Sequence, residues 1–513
     1  MAPDLGSPRS QGNNGNFFQR MMLINLRRMI PFAVLVFILF FLFVFHDAPS
    51  RLFPITPLPT ASKGFEGSQF NGSDSMLLEK LGLSRTFEYS HYCFRPVQKS
   101  GMGRQSLVTM TQRLPLPASS DLLTVTDVGE SLPTCTSHFE LEVPRFNTRT
   151  GSETRTLLLG VATTLSRIGT SLPELARWLS HTGSRLLVLV VDQPDLDVNF
   201  QEVESVYVTA KDLGIDLVLK PYPNPDDSEG LKNFGLAEPL WAEAQKLPHV
   251  QWIGIIDDDT FFVSLAQMVE SLQKFDPKTP LYLGHLTEGW TRVTNEGNKA
   301  WGGAGFFLTL PLLNELVQHT EDCKSLDTGF GDILWRDCIY QLTSPTVRLT
   351  QIEGLNQIDL WKDISGWYEA GHNPLLTVHH WKSWHFHPIP AAHVVTDVAG
   401  PDSFLQRYLF VNDDIVLTNG FSFVRYPKGV PNLNQVELTM TEDVGLERSP
   451  DWKEFHFSLG RTRPALRLGE EKVSWRFVTA TKDVDGSVRQ FYLRKGEGVD
   501  ATDSLVEIDW TNW

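Results

Sequence analysis

The sequence predicts an α/β protein with a mostly parallel sheet, set between an N-terminal transmembrane helix and a β-rich C-terminal module. Three observations predict it. From Thr156 the apolar runs TLLLGV, RLLVLVV, IDLVLK and WIGII alternate with stretches of helical spacing such as LPELARWLS and FQEVESVYVTAKDLG, and strands alternating with helices imply crossovers between parallel neighbours. Residues 29–45 form an unbroken apolar run. Beyond about residue 395, short alternating pieces (DIVLTNGFSFVRY, VSWRFVTAT, RQFYLRK) replace the helical ones.

The first element is the anchor. MIPFAVLVFILFFLFVF, Met29 to Phe45, carries no charge and is near the lower length limit for a membrane-spanning helix. Arg20, Arg27 and Arg28 precede it, so the positive-inside rule leaves residues 1–28 as a cytosolic tail and puts everything after the span outside the cytosol. This is a type II signal anchor. A cleaved signal peptide fits less well, because the only small residue near a cleavage site, Ala48, is followed by Pro49. A short span rich in Phe suits the thinner membranes of the early secretory pathway, so the Golgi apparatus membrane, or the endoplasmic reticulum, is the expected location.

Residues 46–85 hold Pro49, Pro54, Pro57 and Pro59 among Ser, Gly and Thr and read as a stem. Within them Asn71-Gly72-Ser73 is a glycosylation sequon. Residues 86–150 form a lead-in, irregular or β-containing, that Pro115, Pro117 and Pro133 interrupt. The α/β domain then takes residues 151–395 and the β-rich module residues 396–513.

Composition agrees with this order and excludes other classes. Of 513 residues, 41% are apolar and 21% charged, a balance that rules out wholesale disorder. Forty-five basic against 61 acidic residues leave a net charge of −16, and no Lys/Arg stripe offsets it. Nucleic acid is therefore excluded as a partner for want of its main electrostatic term. An anionic substrate stays possible where a divalent cation supplies local positive charge. The four cysteines suit an oxidising lumen. Cys323 with Cys338 would close a short loop and leave Cys93 for Cys135, with the other two connectivities open.

The sharpest chemical signal is QWIGIIDDDTFF, where a buried strand ends in Asp257, Asp258 and Asp259. Three adjacent carboxylates repel one another unless a cation or a helix N-terminus compensates them. In an extended segment Asp257 and Asp259 face one ligand while Asp258 points elsewhere. Oxygen donors favour Mg²⁺ or Mn²⁺, and the C-terminal end of a strand is where open α/β sheets bind ligands. Further on, His379 and His380 follow the strand candidate LLTV, so only one of them can face the cleft; His380 is the expected third metal ligand. The richer cluster HHWKSWHFH could bind zinc through His385 and His387, but no cysteine pair accompanies it, so these two read as core histidines. No GxSxG elbow, P-loop or HExxH is present.

WIGIIDDDTFF resembles the aspartate motif of the fringe-like β-1,3-glycosyltransferases, glycosyltransferase family 31. Four further segments resemble that family in order: WGGAGFFLT at Trp301 to Thr309, GFGDILWRDC at Gly329 to Cys338, IEGLNQIDLWKDISGW at Ile352 to Trp367, and LLTVHHWKSW at Leu375 to Trp384. FLQRYLFVNDDIVLTNGFSFVRYPKG, Phe404 to Gly429, is similar to the stretch C-terminal to the catalytic domain in the fringe-related proteins of plants and fungi.

The resemblance implies a GT-A-type nucleotide-sugar-binding domain, a UDP-sugar donor, a glycan or glycoprotein acceptor, and inversion at the anomeric centre. It implies Asp259 and Asp257 as ligands of Mn²⁺ or Mg²⁺, and Thr163, Thr164, Arg167, Asp192 and Asp258 as donor-binding residues. Thr164 and Asp192 also read as helix-capping groups. Trp301, Gly302 and Gly303, with Gly305, would let backbone approach the donor sugar or acceptor. Asp332 is the implied catalytic base. Relatives carry an acidic doublet there and this chain has Ile333, so Asp327 and Asp337 are the alternatives. A glycan-binding or chaperone protein that keeps the fold without catalysis is the second reading.

Overall fold

The computed structural model describes residues 74–511 apart from 115–120, 126–131, 133–134, 136–137, 147–151, 441–458 and 497–500. The expected tail, span and sequon at Asn71, and the stem as far as residue 73, lie outside the described residues. Among those described, no helix is long and apolar enough to cross a membrane.

The sequence runs read as parallel strands form a seven-stranded sheet. Its order is Leu349–Gln351, Tyr282–Gly284, Phe306–Thr309, Trp252–Ile255, Leu157–Thr163, Arg185–Val190, Asp216–Pro221. Phe306–Thr309 runs antiparallel to both neighbours, and all the other pairings are parallel. The strands are apolar on both faces because both faces are covered. Leu157, Leu159 and Val161 pack toward helix Leu165–Leu179, whose Leu165, Ile168, Leu172, Leu175 and Leu179 form one buried stripe. Leu158, Leu187 and Ile253 pack on the opposite side with Phe234, Leu240, Leu312 and Trp335. Among these, Trp335 belongs to helix Gly331–Thr343.

The lead-in and the C-terminal residues, some 400 positions apart, are one structure. Thr86–Lys99 pairs in parallel with Asp503–Trp510, and also holds Asp121–Thr124 and His138–Pro144. Together with Val108–Met110, Arg407–Phe410, Ile415–Thr418, Ser422–Arg425, Val473–Lys482 and Val488–Arg494 they make a ten-stranded sheet. Phe94 stacks on Phe410 and meets Trp510 edge-on. Both disulfides bring elements together: Cys93 is bonded to Cys135, and Cys323 to Cys338.

One small pairing positions the site. Phe261–Phe262, just after the three aspartates, runs antiparallel to Thr377–Val378, just before the two histidines. Chain segments more than a hundred residues apart are thereby joined at the C-terminal end of strand Trp252–Ile255.

Candidate functional site

The strand ends at Ile255 and the chain turns at once. The Asp257 N–H donates to Thr260 Oγ1 at 3.0 Å, and Thr260 Oγ1 donates to the Gly303 carbonyl at 2.8 Å. The acidic turn is thus closed on itself and tied to the glycine-rich segment. Its side chains divide as alternation requires. Asp258, buried, accepts from Thr163 Oγ1 and from Arg167 Nη2. Asp259 and Asp257 turn the other way, lying 2.9 Å and 3.5 Å from His379 Nε2.

The imidazole that meets the carboxylates is His379. Alternation fails as a guide because the strand stops at Val378 and His380 turns with φ +55°, so both rings lie side by side with centroids 3.8 Å apart. His380 Nε2 is 3.0 Å from Asp359 Oδ1, and its Nδ1 is 3.3 Å from Ser383 Oγ. It remains in the cluster: Asp259, His379 and His380 each offer one ligand atom, all within 4.8 Å of one another.

The electrostatics fit a cation site. Burial alone would raise the Asp259 carboxyl, but His379 beside it, with His380 and Lys382, holds it far below the usual carboxylate range. Burial would likewise lower His379, yet Asp259 and Asp257 push it up to about 10. A proton on the imidazole therefore compensates the acidic turn, and a divalent ion bound by Nε2 would take that proton's place. The His379 Nδ1–H donates to the Gln357 carbonyl at 3.1 Å, which aims Nε2 at the carboxylates, as the supporting bond of a metal-ligating histidine does. The donor set of carboxylate oxygens and imidazole nitrogens suits a divalent ion such as Mn²⁺.

The glycine-rich segment supports this cluster. A Cβ on Gly303 would fall on the His379 ring. Gly302 has room, its Cβ position lying 3.8 Å from Asp257 Oδ1, and Gly305 uses φ +86°. Trp301 is buried, with the Lys299 ammonium 3.3 Å from its ring centroid. Gly303 thus faces His379, and Trp301 packs beneath Lys299.

Among the donor-side residues, Thr164 and Asp192 are helix-capping groups. Thr164 Oγ1 accepts from Arg167 N, and Asp192 Oδ1 from Leu165 N. Arg167 keeps an exposed guanidinium at the same helix end, where the helix dipole adds positive potential. Asp332 lies in the first turn of helix Gly331–Thr343, and its Oδ2 is paired with Lys299 Nζ, which is buried and also 3.2 Å from Glu296. The alternatives are engaged elsewhere: Asp327 accepts from Ser228 and the Gly329 N–H, and Asp337 from Arg336.

His385 and His387 are core histidines. Their Nε2 atoms meet the carbonyls of Leu360 and Gly420, and burial lowers them to about 4 and about 3. Sequence reasoning missed Asp359, Lys299, Gln357 and the buried Glu288. Asp359 stood inside a segment singled out by resemblance, whereas Glu288 and Lys299 are lone charges with no spacing signal.

Residues 293–395 match the model of a family described as a protein of unknown function, DUF604. No curated protein matches the chain. Solved structures similar to it include a mannosyltransferase from Pyrobaculum calidifontis in complex with GDP-Man and Mn²⁺, at 12% identity and a TM-score of 0.24. That match covers 42% of this chain and 60% of the other, so the chain spans less than two thirds of that protein. A glycosyltransferase involved in glycosylating the major capsid of PBCV-1 is 11% identical with a TM-score of 0.26, covering 44% of this chain and 92% of the other. Mouse xyloside xylosyltransferase 1 is 15% identical with a TM-score of 0.24, covering 38% and 84%.

Proposed function

We propose that this chain is a metal-dependent glycosyltransferase of GT-A type that moves a sugar from a UDP-sugar to a hydroxyl of a glycan or glycoprotein, with inversion, in the manner of the fringe-like enzymes. The observation that carries the reading is the meeting of Asp257 and Asp259 with His379 and His380 at the C-terminal end of a mostly parallel sheet. In the same reading residues 29–45 anchor the chain in the Golgi or endoplasmic reticulum membrane, with the site in the lumen.

Asp259, His379, His380 and Asp257 would hold Mn²⁺ or Mg²⁺, which supplies positive charge against the diphosphate that leaves. Arg167 and the start of helix Leu165–Leu179 add positive potential on the donor side. Asp258 fixes Arg167 through the bond to its Nη2. Asp332 takes the proton of the acceptor hydroxyl. Lys299 occupies Oδ2, which leaves Oδ1 for that proton and fixes its direction.

The test is thermal unfolding of the full-length chain in detergent, with a panel of nucleotide sugars, with and without Mn²⁺. A ligand at about a hundred times its Kd stabilises the native state by about 2.7 kcal/mol. Stabilisation by one UDP-sugar that requires Mn²⁺ and is lost in Asp259→Ala supports the reading; no response to any nucleotide sinks it. The ion pair that engages Asp332, with Ile333 beside it, favours one second reading, a glycan-binding protein without catalysis. Metal-dependent release of UDP would argue against that.

A further inference from the structure

Away from the carboxylates the site continues as a column of rings. The His380 ring stacks on Trp384 at 3.7 Å and 6°, and Trp384 stacks on Trp361 at 4.0 Å and 18°. With the His379 ring tilted against His380 at the other end, the column runs from the acidic turn to Trp361, which is 43% exposed. Single exposed apolar side chains such as Val484 and Leu468 need no explanation. A tryptophan backed by two parallel rings and continuous with a candidate metal cluster does.

The backbone that holds the column is strained. Seven non-glycine residues have positive φ among the described residues, and four of them, Ile358 (+59°), Lys362 (+67°), His380 (+55°) and Phe386 (+50°), lie in the two loops that carry these rings. Each is unfavourable for a side chain with a Cβ and persists only where the surroundings enforce it. The enforcing contacts are His380 to Asp359 and His385 to the Leu360 carbonyl. Trp361 lies flat against Trp384 at the surface between two of these residues, Ile358 and Lys362, although folding alone would favour burying so large an apolar ring.

We propose that the exposed face of Trp361 is a stacking subsite for a pyranose ring of the acceptor glycan, which lies with its C–H face on the indole. This rests on the transferase reading above and deepens it on the acceptor side. A nucleobase would stack equally well, but the donor-side groups lie on the other flank of the turn: Asp258 turns to Thr163 and Arg167, while Asp257 and Asp259 turn toward the column. A ring on Trp361 is therefore beyond the cation cluster as seen from Arg167.

The experiment uses full-length protein, Trp361→Ala and Trp361→Phe. Each is applied to an array of N-glycan, O-glycan and glycosaminoglycan oligosaccharides, and each is melted with and without UDP plus Mn²⁺. Loss of the indole should weaken glycan retention about tenfold, Trp361→Phe should retain most of it, and stabilisation by UDP with Mn²⁺ should be unchanged. Undiminished glycan retention in Trp361→Ala, or no glycan retained by the wild type, overturns the proposal. Loss of the UDP response in Trp361→Ala also overturns it, and makes Trp361 a nucleobase platform instead. Glycan retention that depends on Trp361 in a protein with no UDP response would sink the transferase reading and leave the sugar subsite standing.

Discussion

The ring of His379 lies where a side chain on residue 303 would begin. A Cβ on Gly303 would sit 2.0 Å from Cε1 and 2.3 Å from each ring nitrogen of His379. The glycine is required by another side chain of the protein, and the position of the imidazole depends on it. Gly303→Ala must therefore push His379 away from Asp259 and the Gln357 carbonyl, at a cost of about 1–3 kcal/mol for overpacking. Gly302→Ala is tolerated, its Cβ being 3.8 Å from Asp257 Oδ1. Thermal unfolding with and without Mn²⁺ checks both: the 303 variant should lose the metal response and the 302 variant keep it. An unchanged response in Gly303→Ala would remove His379 from the cation cluster.

How far the sequence discloses this site depends on how local each signal is. The central strands are legible because both faces are buried, so their residues are apolar without interruption. The aspartates are legible because they end such a strand. The role of Gly303 is hidden, since its partner His379 is 76 positions away and glycine has no side chain to suggest one. His379 and His380 could not be told apart by alternation, which ceases at Val378 where the chain turns. Thr86–Lys99 was unreadable for the same reason as the lead-in around it: its strand partner Asp503–Trp510 is at the far end of the chain.

Asp332 and Lys299 make a second test. Lys299 is buried, touches both Asp332 and Glu296, and lies over Trp301. If Asp332 is the base, Asp332→Asn should lower kcat by a hundredfold or more, the usual scale of general base catalysis, with nucleotide stabilisation intact. Lys299→Met leaves Asp332 without its cation and Glu296 with Arg292 alone, so it should lower the melting temperature as well. Kinetics beside melting curves separate the two roles. Full activity in Asp332→Asn would pass the role to another carboxylate.

The disulfide Cys323–Cys338 joins helix Thr320–Lys324 to the helix that carries Asp332. Its 15-residue separation corresponds to about 3 kcal/mol of chain entropy when closed. The double serine variant should lose about that much, read as a lower denaturant midpoint, with the slope equal or steeper because the unlinked chain unfolds to a more expanded state. Reduction of the wild type, which also opens Cys93–Cys135, should cost at least as much. A variant as stable as the wild type would show that the packing of Trp335 and Leu334 alone holds this helix.

Glu288 gives the protein a pH dependence of definite sign. Its side chain is buried, Oε2 accepts from the Ile358 N–H at 2.6 Å, and Oε1 has no hydrogen-bond partner among the described residues. Burial, with the Asp359 charge adding to it, pushes its pKa up from 4.5 to about 8. The unfolded chain releases this proton near pH 4.5 and the native state holds it to about pH 8. The native state thus binds more protons across that interval, and stability falls as pH rises through it. The loss is on the order of a few kcal/mol. Glu288→Gln keeps a neutral group of the same shape that cannot ionise, so its stability should fall less between pH 5 and pH 8. Chemical denaturation of both proteins at the two pH values isolates the residue, because every other titrating group is shared. Identical pH slopes would mean that Glu288 is ionised in the native state and paired with a cation.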